Sequence, residues 1–321
     1  MKKVVNCLIV ICLLSLVVFK DVEASSKVSI TLSFIGDITL GNYAGQGYSG
    51  SFNQEYVKQK KNTNYFLKKV KGTFLKDDLT IANLEGPLTT AKKHQKKRFA
   101  FKGLPNYVNI LKNSSVEVVS LANNHSQDYY QKGFNDTKSI LKKNKISYFG
   151  YSQTCIKTVK GIKIGFLGYA FPSSLTSSMK KSIKNLKKKT DIVIVYFHWG
   201  IERDKKPQSS QRKLAKQVLN CGVDLIVGSH PHVLQGIETY KGKKIVYSLG
   251  NFCFGGNKNP SDKDTMIYQH TFMLNNKKIV KQKCKIIPCM ITSKKSRNNY
   301  QPTIVKGKDA KRVLKKVNKI K

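Results

Sequence analysis

Short apolar runs alternate with amphipathic, lysine-rich segments from Val28 onward, and this alternation constrains the fold more than any other feature. Runs of five to eight apolar residues are typical of buried strands, whereas apolar residues three and four positions apart predict helices. The predicted strands are Val28–Ile35, Leu79–Asn83, Val116–Leu121, Lys163–Gly168, Ile192–His198, Val223–Gly228 and Ile245–Leu249. The predicted helices are Asn64–Leu75, Leu104–Lys112, Gly133–Asn144, Gln208–Cys221 and Lys308–Ile320. This order predicts an α/β domain with largely buried sheets.

The last part of the chain changes character. Residues 268–291 predict two strands around a turn at Asn275, Asn276 and Lys277, and a helix is predicted to close the chain. The sequence contains no internal repeat and no proline-rich linker. We therefore expect one domain over residues 28–321, preceded by a separate segment over residues 1–24.

That first segment has the pattern of a secretory signal peptide. Lys2 and Lys3 precede an uncharged apolar run, and Ala24 closes a small-x-small pattern that predicts cleavage before Ser25. The alternative is an uncleaved membrane anchor, because the run is only slightly shorter than the roughly 20 residues of a spanning helix. Either interpretation predicts a secreted or otherwise extracytoplasmic protein, whereas a buried core helix is disfavoured at this position.

Polar side chains that can bind a metal ion follow the predicted strands. They are Asp37, Asn83, Glu85, Asn123, Asn124, His125, His198, His230, His232 and Asn251. Ligands of open α/β sheets bind just outside the carboxyl ends of the strands. Carboxylates, imidazoles and amide oxygens are ligands for zinc, manganese or iron. Ordinary hydrogen-bonded strand ends would explain one histidine better than the four of six that lie there. The pattern predicts a site for one or two divalent ions.

Other kinds of active site have little support. The chain contains no Gly-x-Ser-x-Gly elbow, no Walker loop and no Gly-x-Gly-x-x-Gly sequence. Beyond the N-terminal segment five cysteines remain, an odd number without zinc-ribbon spacing: Cys155, Cys221, Cys253, Cys284 and Cys289. We interpret them as small apolar residues, and a Cys284–Cys289 pair stays open.

The charge is strongly one-sided, with 59 Lys and Arg against 18 Asp and Glu and a formal net charge of +41. Such a chain attracts polyanions, which for an exported protein are anionic lipids and wall or capsular polymers. Lysines spread evenly by compositional drift explain the excess equally well. Nothing resembles a helix-turn-helix, a zinc finger or an RNP motif, so no specific nucleic-acid recognition is expected.

Six blocks carry a family resemblance. FIGDITLG, ANLEGPLT, SLANNHSQDYYQKGF, FHWGIE, GVDLIVGSHPHVLQG and YSLGNFCF occur in this order between residues 34 and 254. Together they resemble the CapA family of capsule-synthesis proteins associated with poly-γ-glutamate, which is similar to the calcineurin-like metallophosphoesterases. The resemblance implies a four-layer α-β-β-α sandwich with two mixed sheets between helices and a metal centre at the strand ends.

The resemblance also implies roles for individual residues. The implied metal ligands are Asp37, Glu85 as the bridging carboxylate, Asn124, His198, His230 and His232, with Asn83, Asn123 and Asn251 in support. His125 would act as proton donor or phosphate-facing group. Asp128 would either orient His125 or serve as a helix N-cap. Thr39 stands where metallophosphoesterases usually carry the histidine of Asp-x-His, which leaves the number of ions open.

Three functions follow from these observations. The first is a metal-dependent hydrolase of capsule synthesis or export that cuts a phosphoester or a polymer bond. The second is a non-catalytic factor that binds an anionic polymer, polyglutamate or a wall polymer, and assists a membrane synthase. The third is a secreted metal-dependent phosphatase unrelated to capsule.

Overall fold

The structure is a computed structural model that describes residues 27–317. The predicted signal segment and the last residues of the predicted helix Lys308–Ile320 lie outside the described residues. The strands are β1 Lys27–Thr39, β2 Asn42–Tyr43, β3 Leu79–Leu84, β4 Phe101–Lys102, β5 Val118–Ser120, β6 Ser147–Phe149, β7 Cys155–Val159, β8 Ile162–Ala170, β9 Ile192–His198, β10 Leu225–Ser229, β11 Ile237–Tyr240, β12 Lys243–Val246, β13 Asn251–Phe254, β14 Asp264–Asn275, β15 Lys278–Met290 and β16 Thr303–Ile304. The α-helices are α1 Phe52–Lys58, α2 Asn64–Phe74, α3 Val108–Lys112, α4 Tyr130–Lys143, α5 Ser177–Lys187, α6 Ser209–Asn220 and α7 Gly307–Val317, and a 3₁₀ turn, Pro105–Tyr107, precedes α3.

Two mixed sheets form the centre of the protein. The first has the order β16-β15-β14-β1-β3-β5-β6, with β13 also paired to β1, and the second has the order β11-β12-β10-β9-β8-β7. One apolar cluster, including Phe34, Ile81, Phe166 and Ile194, joins the two sheets face to face. The outer face of the first sheet packs on α1 to α4, and the outer face of the second packs on α5 and α6. This arrangement confirms the predicted four-layer α-β-β-α sandwich.

Sequence periodicity placed most of the major elements correctly. The predicted helix Asn64–Leu75 corresponds to α2, and the predicted turn around Asn276 joins β14 to β15. The predicted helix at Leu104–Lys112 is divided between the 3₁₀ turn and α3. Helix α5 was not predicted, because its apolar positions are isolated among lysines. Within residues 27–317 no helix is long and apolar enough to cross a membrane.

The predicted ends of two strands were wrong, which changes where Asp37 and Asn251 lie. Strand β1 does not end at Ile35, and Asp37 lies inside it beyond an irregularity, paired with Asn251 of β13. The predicted strand Ile245–Leu249 ends early as β12, so Asn251 begins β13 instead of following a strand. The cause is non-local, because β13 adds to the end of β1 from more than 200 residues away.

The five cysteines of the described region are unpaired, so the Cys284–Cys289 bond that stayed open is not formed. Cys155, Cys253 and Cys289 are buried, as expected for small apolar residues, whereas Cys284 is exposed.

Gly36 sets the close approach of β1 to the segment before β13. A Cβ atom at this position would lie 1.9 Å from the carbonyl oxygen of Gly250, which is backbone and cannot turn away. Asp37 N donates to the same carbonyl at 3.0 Å. The missing side chain therefore fixes the position of the neighbouring Asp37.

We expect Gly36→Ala to lower the free energy of unfolding by about 3 kcal/mol or more, since overpacking a core costs 1–3 kcal/mol and here the clash is with backbone. The matched control is Gly72→Ala in α2, where an added Cβ meets no atom within 4 Å. That change should stabilise the protein by about 0.5–1 kcal/mol. Urea unfolding of both variants measures the difference, and equal effects would contradict this account of Gly36.

Candidate metal centre

Strand register brings the predicted polar residues to one edge of the sandwich. In the first sheet Asp37 pairs with Asn83 of β3, which pairs with Ser120 of β5. In the second sheet His198, the last residue of β9, pairs with Ser229, the last residue of β10. Because these parallel strands end at the same level, the side chains that follow them meet between the sheets.

Asp37 and Glu85 are fully buried in this cluster. Asp37 Oδ1 accepts a hydrogen bond from Asn83 Nδ2 at 2.8 Å, and its Oδ2 lies 3.2 Å from His232 Nδ1. Glu85 Oε2 accepts from the Thr39 hydroxyl at 3.4 Å. Glu85 Oε1 makes no hydrogen bond within residues 27–317. A buried carboxylate oxygen without a donor is costly unless a cation faces it.

The two carboxyl groups differ in acidity. Burial opposes ionisation of Asp37, but the hydrogen bond with His232 and the charges of His198 and His232 outweigh it and hold its pKa well below the usual range. Burial, followed by the charge of Asp37, raises the pKa of Glu85 to about 8. In the metal-free protein the pair therefore carries a proton on Glu85 at neutral pH.

Three histidines surround these carboxylates. His198 Nε2 lies 2.8 Å from Asn124 Oδ1, 3.1 Å from His230 Nδ1 and 3.6 Å from Glu85 Oε1. Burial keeps the pKa of His198 well below its ordinary value, and burial with the charge of His232 lowers the pKa of His230 to about 4. Neutral imidazoles are the form that binds metals.

His232 behaves in the opposite way. Burial would lower its pKa, but the charge of Glu85 and the hydrogen bond and charge of Asp37 raise it to about 10. Its Nδ1 also lies 2.9 Å from Asn251 Oδ1. An incoming cation must displace the protons of Glu85 and His232, so cation affinity should rise with pH.

The remaining amide side chains hold the cluster together. Asn123 Nδ2 donates to Asn83 Oδ1 at 3.0 Å and to Leu84 O at 2.9 Å. Asn123 Oδ1 accepts from the backbone N–H of His125 at 3.0 Å. Asn83 Nδ2 in turn lies 3.1 Å from His198 Nδ1. Asn83 and Asn251 therefore contact candidate ligands directly, whereas Asn123 acts through Asn83 and the backbone of His125.

His125 and Asp128 form a hydrogen-bonded pair beside the cluster. His125 Nδ1 lies 2.8 Å from Asp128 Oδ2, which also accepts from Phe101 N at 2.6 Å. Lys97 makes an ion pair with Asp128, and its Nζ donates to Asn124 O at 3.0 Å. Helix α4 begins at Tyr130 with Tyr129 at its N-cap and no side-chain cap bond. The N-cap interpretation of Asp128 is therefore wrong, and its carboxylate orients His125.

The donors define two positions that can each hold a cation. Ligand atoms of Asp37, Glu85 and His232 all lie within 4.8 Å of one another. Beside this set, Asn124, His230 and Glu85 each have a donor atom within 3.6 Å of His198 Nε2, and ligand atoms of His230, His232 and Glu202 form a second group within 4.8 Å. Oxygen and imidazole donors, with the free Glu85 oxygen near both His198 and His232, fit divalent zinc, manganese or iron.

A groove of about 650 Å³ opens beside this centre. His125 and His232 line it together with Phe99, Phe101 and Phe254, and the acidic residues Glu202, Asp262 and Asp264 also belong to its lining. The cations Arg203, Lys205 and Lys263 stand along the groove. A substrate that reaches the metal positions from this groove passes aromatic and positively charged side chains.

Sequence analysis missed three residues that act on the centre. Ser229 Oγ lies 3.1 Å from His198 Nδ1, Lys97 pairs with Asp128, and Glu202 lies near His230 and His232. Glu202 could have been found, since it stands four residues after His198 in the FHWGIE block. Nothing in the sequence distinguishes Lys97 from the other lysines around it.

The two-sheet α/β sandwich, with carboxylates, histidines and an Asn-His pair at its strand ends, agrees with the fold that the resemblance to the CapA family implied. The sequence profile described as "Bacterial capsule synthesis protein PGA_cap" matches residues 31–256. The chain belongs to this family, which the CapA resemblance predicted.

Two capsule-synthesis proteins and one solved structure are similar to this chain. The chain is 33% identical to the PGA biosynthesis protein CapA of Bacillus subtilis over 258 residues, which cover 73% of this chain and 65% of that protein. It is 31% identical to the capsule biosynthesis protein CapA of Bacillus anthracis over 255 residues, 70% of this chain and 60% of that protein. The chain thus matches less than two thirds of the length of either relative. Among solved structures it is similar to a phosphatase from Mycoplasma pneumoniae (18% identity, TM-score 0.49, 82% of this chain and 95% of that one).

Proposed function

We propose that this protein is an extracytoplasmic, metal-dependent hydrolase of capsule synthesis or export that cuts a bond in an anionic, poly-γ-glutamate-type polymer or a phosphoester. One observation carries the proposal. The unpaired Glu85 oxygen lies 3.6 Å from His198 Nε2 and 3.9 Å from His232 Nε2, and His125, paired with Asp128, lines the open groove beside them. Family membership supports the connection with capsule, and the apolar residues 4–19 support export.

The mechanism assigns each part of the centre a task. A divalent cation, when bound, would polarise a substrate oxygen and lower the pKa of a water molecule toward neutrality. Asp37, Glu85, Asn124, His198, His230 and His232 would hold the cations in place. The carboxylate of Asp128 fixes the ring of His125 through Nδ1, which leaves Nε2 to donate a proton to the leaving group.

Surrounding residues prepare this geometry. Asn123 anchors the backbone of His125, and Asn83 positions both Asp37 and His198. Arg203 and Lys205 would attract the carboxylates or phosphates of a polyanionic substrate. The burial of Glu85, His198 and Asp37 excludes bulk water from the donors.

The first test measures metal. Full-length protein is expected to contain one or two divalent ions per chain by elemental analysis. Adding manganese to chelator-treated protein at about 100 times its dissociation constant should raise the melting temperature by about 5–10 °C, since binding of this strength contributes about 2.7 kcal/mol. Affinity should increase from pH 6 to pH 8 as Glu85 loses its proton, and it should increase further toward pH 10 as His232 loses its own. Absence of metal together with no thermal shift would refute the proposal.

The second test measures turnover. Poly-γ-glutamate chain length and release of phosphate from a panel of phosphoesters are followed with and without chelator. Metal-dependent shortening of the polymer supports the capsule assignment. Phosphoester turnover at ordinary enzyme rates without polymer cleavage would favour the secreted phosphatase instead.

A specific surface supports non-catalytic binding of polymer as a second candidate function. We call residues 91–98 the basic strap; its exposed cations are Lys92, Lys93, Lys96 and Arg98. Gln95 fixes the strap to the segment that carries His125, donating from its backbone to Asp128 O at 2.8 Å and from its side chain to Gln127 O at 3.0 Å. A polyanion on the strap would therefore lie next to the metal centre.

We expect replacing Lys92, Lys93 and Lys96 by glutamine to weaken binding of polyglutamate about tenfold at low salt, because three surface cations are lost. The difference should shrink at 0.5 M salt, where charges are screened within about 5 Å. The matched control replaces Lys281, Lys283 and Lys285, three exposed lysines of β15. Equal loss in both triple variants, measured by fluorescence anisotropy, would show that net charge alone binds the polymer.

A further inference from the structure

Glu202 lines the groove beside the metal centre, and the proposed mechanism assigns it no task. One oxygen of its carboxylate and one ring nitrogen each of His230 and His232 lie within 4.8 Å of one another. Glu202 is exposed, and its carboxylate makes no hydrogen bond or salt bridge with any residue from 27 to 317. In a chain with a net charge of +41, an unpaired carboxylate at this place is unusual.

The backbone holds Glu202 at this place. Trp199 N donates to Ser229 O at 3.0 Å and Arg203 N donates to Pro231 O at 2.8 Å, so two hydrogen bonds join the loop to the His-Pro-His segment. Gly200 turns the chain with φ +89°, and a Cβ there would meet the Gln211 side chain at 2.9 Å. These hydrogen bonds and the turn at Gly200 therefore hold the backbone of Glu202 beside His230 and His232.

The buried donor set lacks one ligand on this side. Thr39 offers a hydroxyl where an imidazole would bind, and that hydroxyl is directed to Glu85 Oε2. The cation position at Asp37, Glu85 and His232 is thus left with three protein donors. His232 belongs to this set and also to the group with Glu202. Glu202 does not belong to the set with Asp37 and Glu85, so the cation position that it reaches is the one beside His230 and His232, on the solvent side.

We propose that Glu202 is a metal ligand of this centre: together with His230 and His232, its carboxylate binds a divalent cation on the solvent side of the buried donors. Donors bonded to one zinc or manganese ion at about 2.0–2.2 Å lie up to about 4.3 Å apart, so the group has only to contract slightly around the cation. A carboxylate with two imidazoles is a donor set that leaves a position open for water or substrate. The proposal rests on the metal centre inferred under the proposed function.

The test is equilibrium binding of Mn²⁺ and Co²⁺ to chelator-treated, full-length protein. Electron paramagnetic resonance of free Mn²⁺ gives the affinity, and the visible spectrum of Co²⁺ gives the ligand field. Glu202→Gln should weaken one ion by about tenfold or more and change the Co²⁺ spectrum. Asp204→Asn removes a neighbouring carboxylate of the same loop and should change the affinity less than about twofold.

A second variant separates ligation from simple attraction of charge. Glu202→His restores a donor atom without a negative charge and should bind Co²⁺ more tightly than Glu202→Gln does. Equal weakness of both variants would overturn ligation by Glu202, as would an unchanged affinity and spectrum in Glu202→Gln. If the wild-type chain binds no cation, the proposed metal-dependent function fails as well, so the two failures are distinguishable.

Discussion

Replacing His125 by alanine should lower hydrolytic turnover by about 10²–10⁴-fold and leave the metal content unchanged, because a positioned general acid contributes a factor of that size. The His125 ring lines the groove and is held at Nδ1 by Asp128, and it is not one of the groups that converge on the cation positions. Turnover of polymer or phosphoester and elemental analysis of the same samples provide the two measurements.

Asp128→Asn tests the same pair from its other side. An asparagine can still accept from Phe101 N, whereas the charge that stabilises a protonated His125 is lost. We expect turnover to fall in Asp128→Asn, as it should in His125→Ala. His94→Ala is the control, since His94 is half-buried and bonds only to the neighbouring Gln95 carbonyl. Loss of metal in His125→Ala, or turnover close to wild type, would remove His125 from the mechanism.

Much of the candidate centre was predictable because each residue follows an apolar run that is unmistakable in the sequence. Five predicted strand ends carried a histidine or an asparagine, and parallel strands necessarily end at one edge. The role of Asp128 was not predictable, since an N-cap and a histidine partner have the same local sequence. The Phe101 amide and Lys97, 27 and 31 residues earlier in the chain, decide between them.

The extension of β1 illustrates a second limit. Local propensity ends the strand at Ile35, before Gly36 and Asp37. In the structure β13 provides a new partner, and Gly36 gives the room that this approach requires. Helix α5 and strand β7 were missed for a related reason. Their buried apolar residues are few and are separated by charged ones. These residues become buried through packing in the second sheet, which the local sequence does not indicate.

The centre destabilises the folded protein when no metal is bound, and a bound cation would remove this cost. Glu85 is fully buried, one of its oxygens has no donor in the described region, and Asp37 lies close enough to raise its pKa. Such an arrangement opposes folding in the absence of metal and favours it when metal is bound. The cost is expected at a site selected for binding and not for stability.

Glu85→Gln should therefore change the stability of the protein in opposite directions with and without metal. In chelator at neutral pH the variant should melt about 2–5 °C above wild type, because an amide of nearly the same volume is uncharged beside Asp37 without having to take up a proton on folding. With saturating manganese the wild type should be the more stable form, since the variant has lost a carboxylate oxygen of the donor set with Asp37 and His232. Manganese affinity of the variant should fall by at least about 100-fold.

The stability difference between Glu85→Gln and wild type in chelator should depend on pH, and the pKa of Glu85 gives the direction. The pKa of Glu85 in the folded protein, about 8, lies above the ordinary value of 4.5, so the folded state retains the proton longer. Its contribution to stability is fully present below about pH 4.5 and is lost as the pH rises through 8. In chelator the advantage of Glu85→Gln over wild type should therefore grow from pH 5 to pH 8. Thermal unfolding at a series of pH values measures this growth.

Glu238→Gln is the matched control, because the same substitution should there have the opposite sign. Burial opposes ionisation of Glu238, but its hydrogen bonds with Arg212, Lys216 and Tyr247 prevail and lower its pKa to about 2. Its charge stabilises the fold above pH 4.5 and loses this effect as the pH falls through 2. Glu238→Gln should thus melt below wild type at neutral pH with or without manganese. If Glu85→Gln also melts below wild type in chelator, the buried carboxylate stabilises the fold without metal. The account of Glu85 as a group that destabilises the metal-free protein is then wrong.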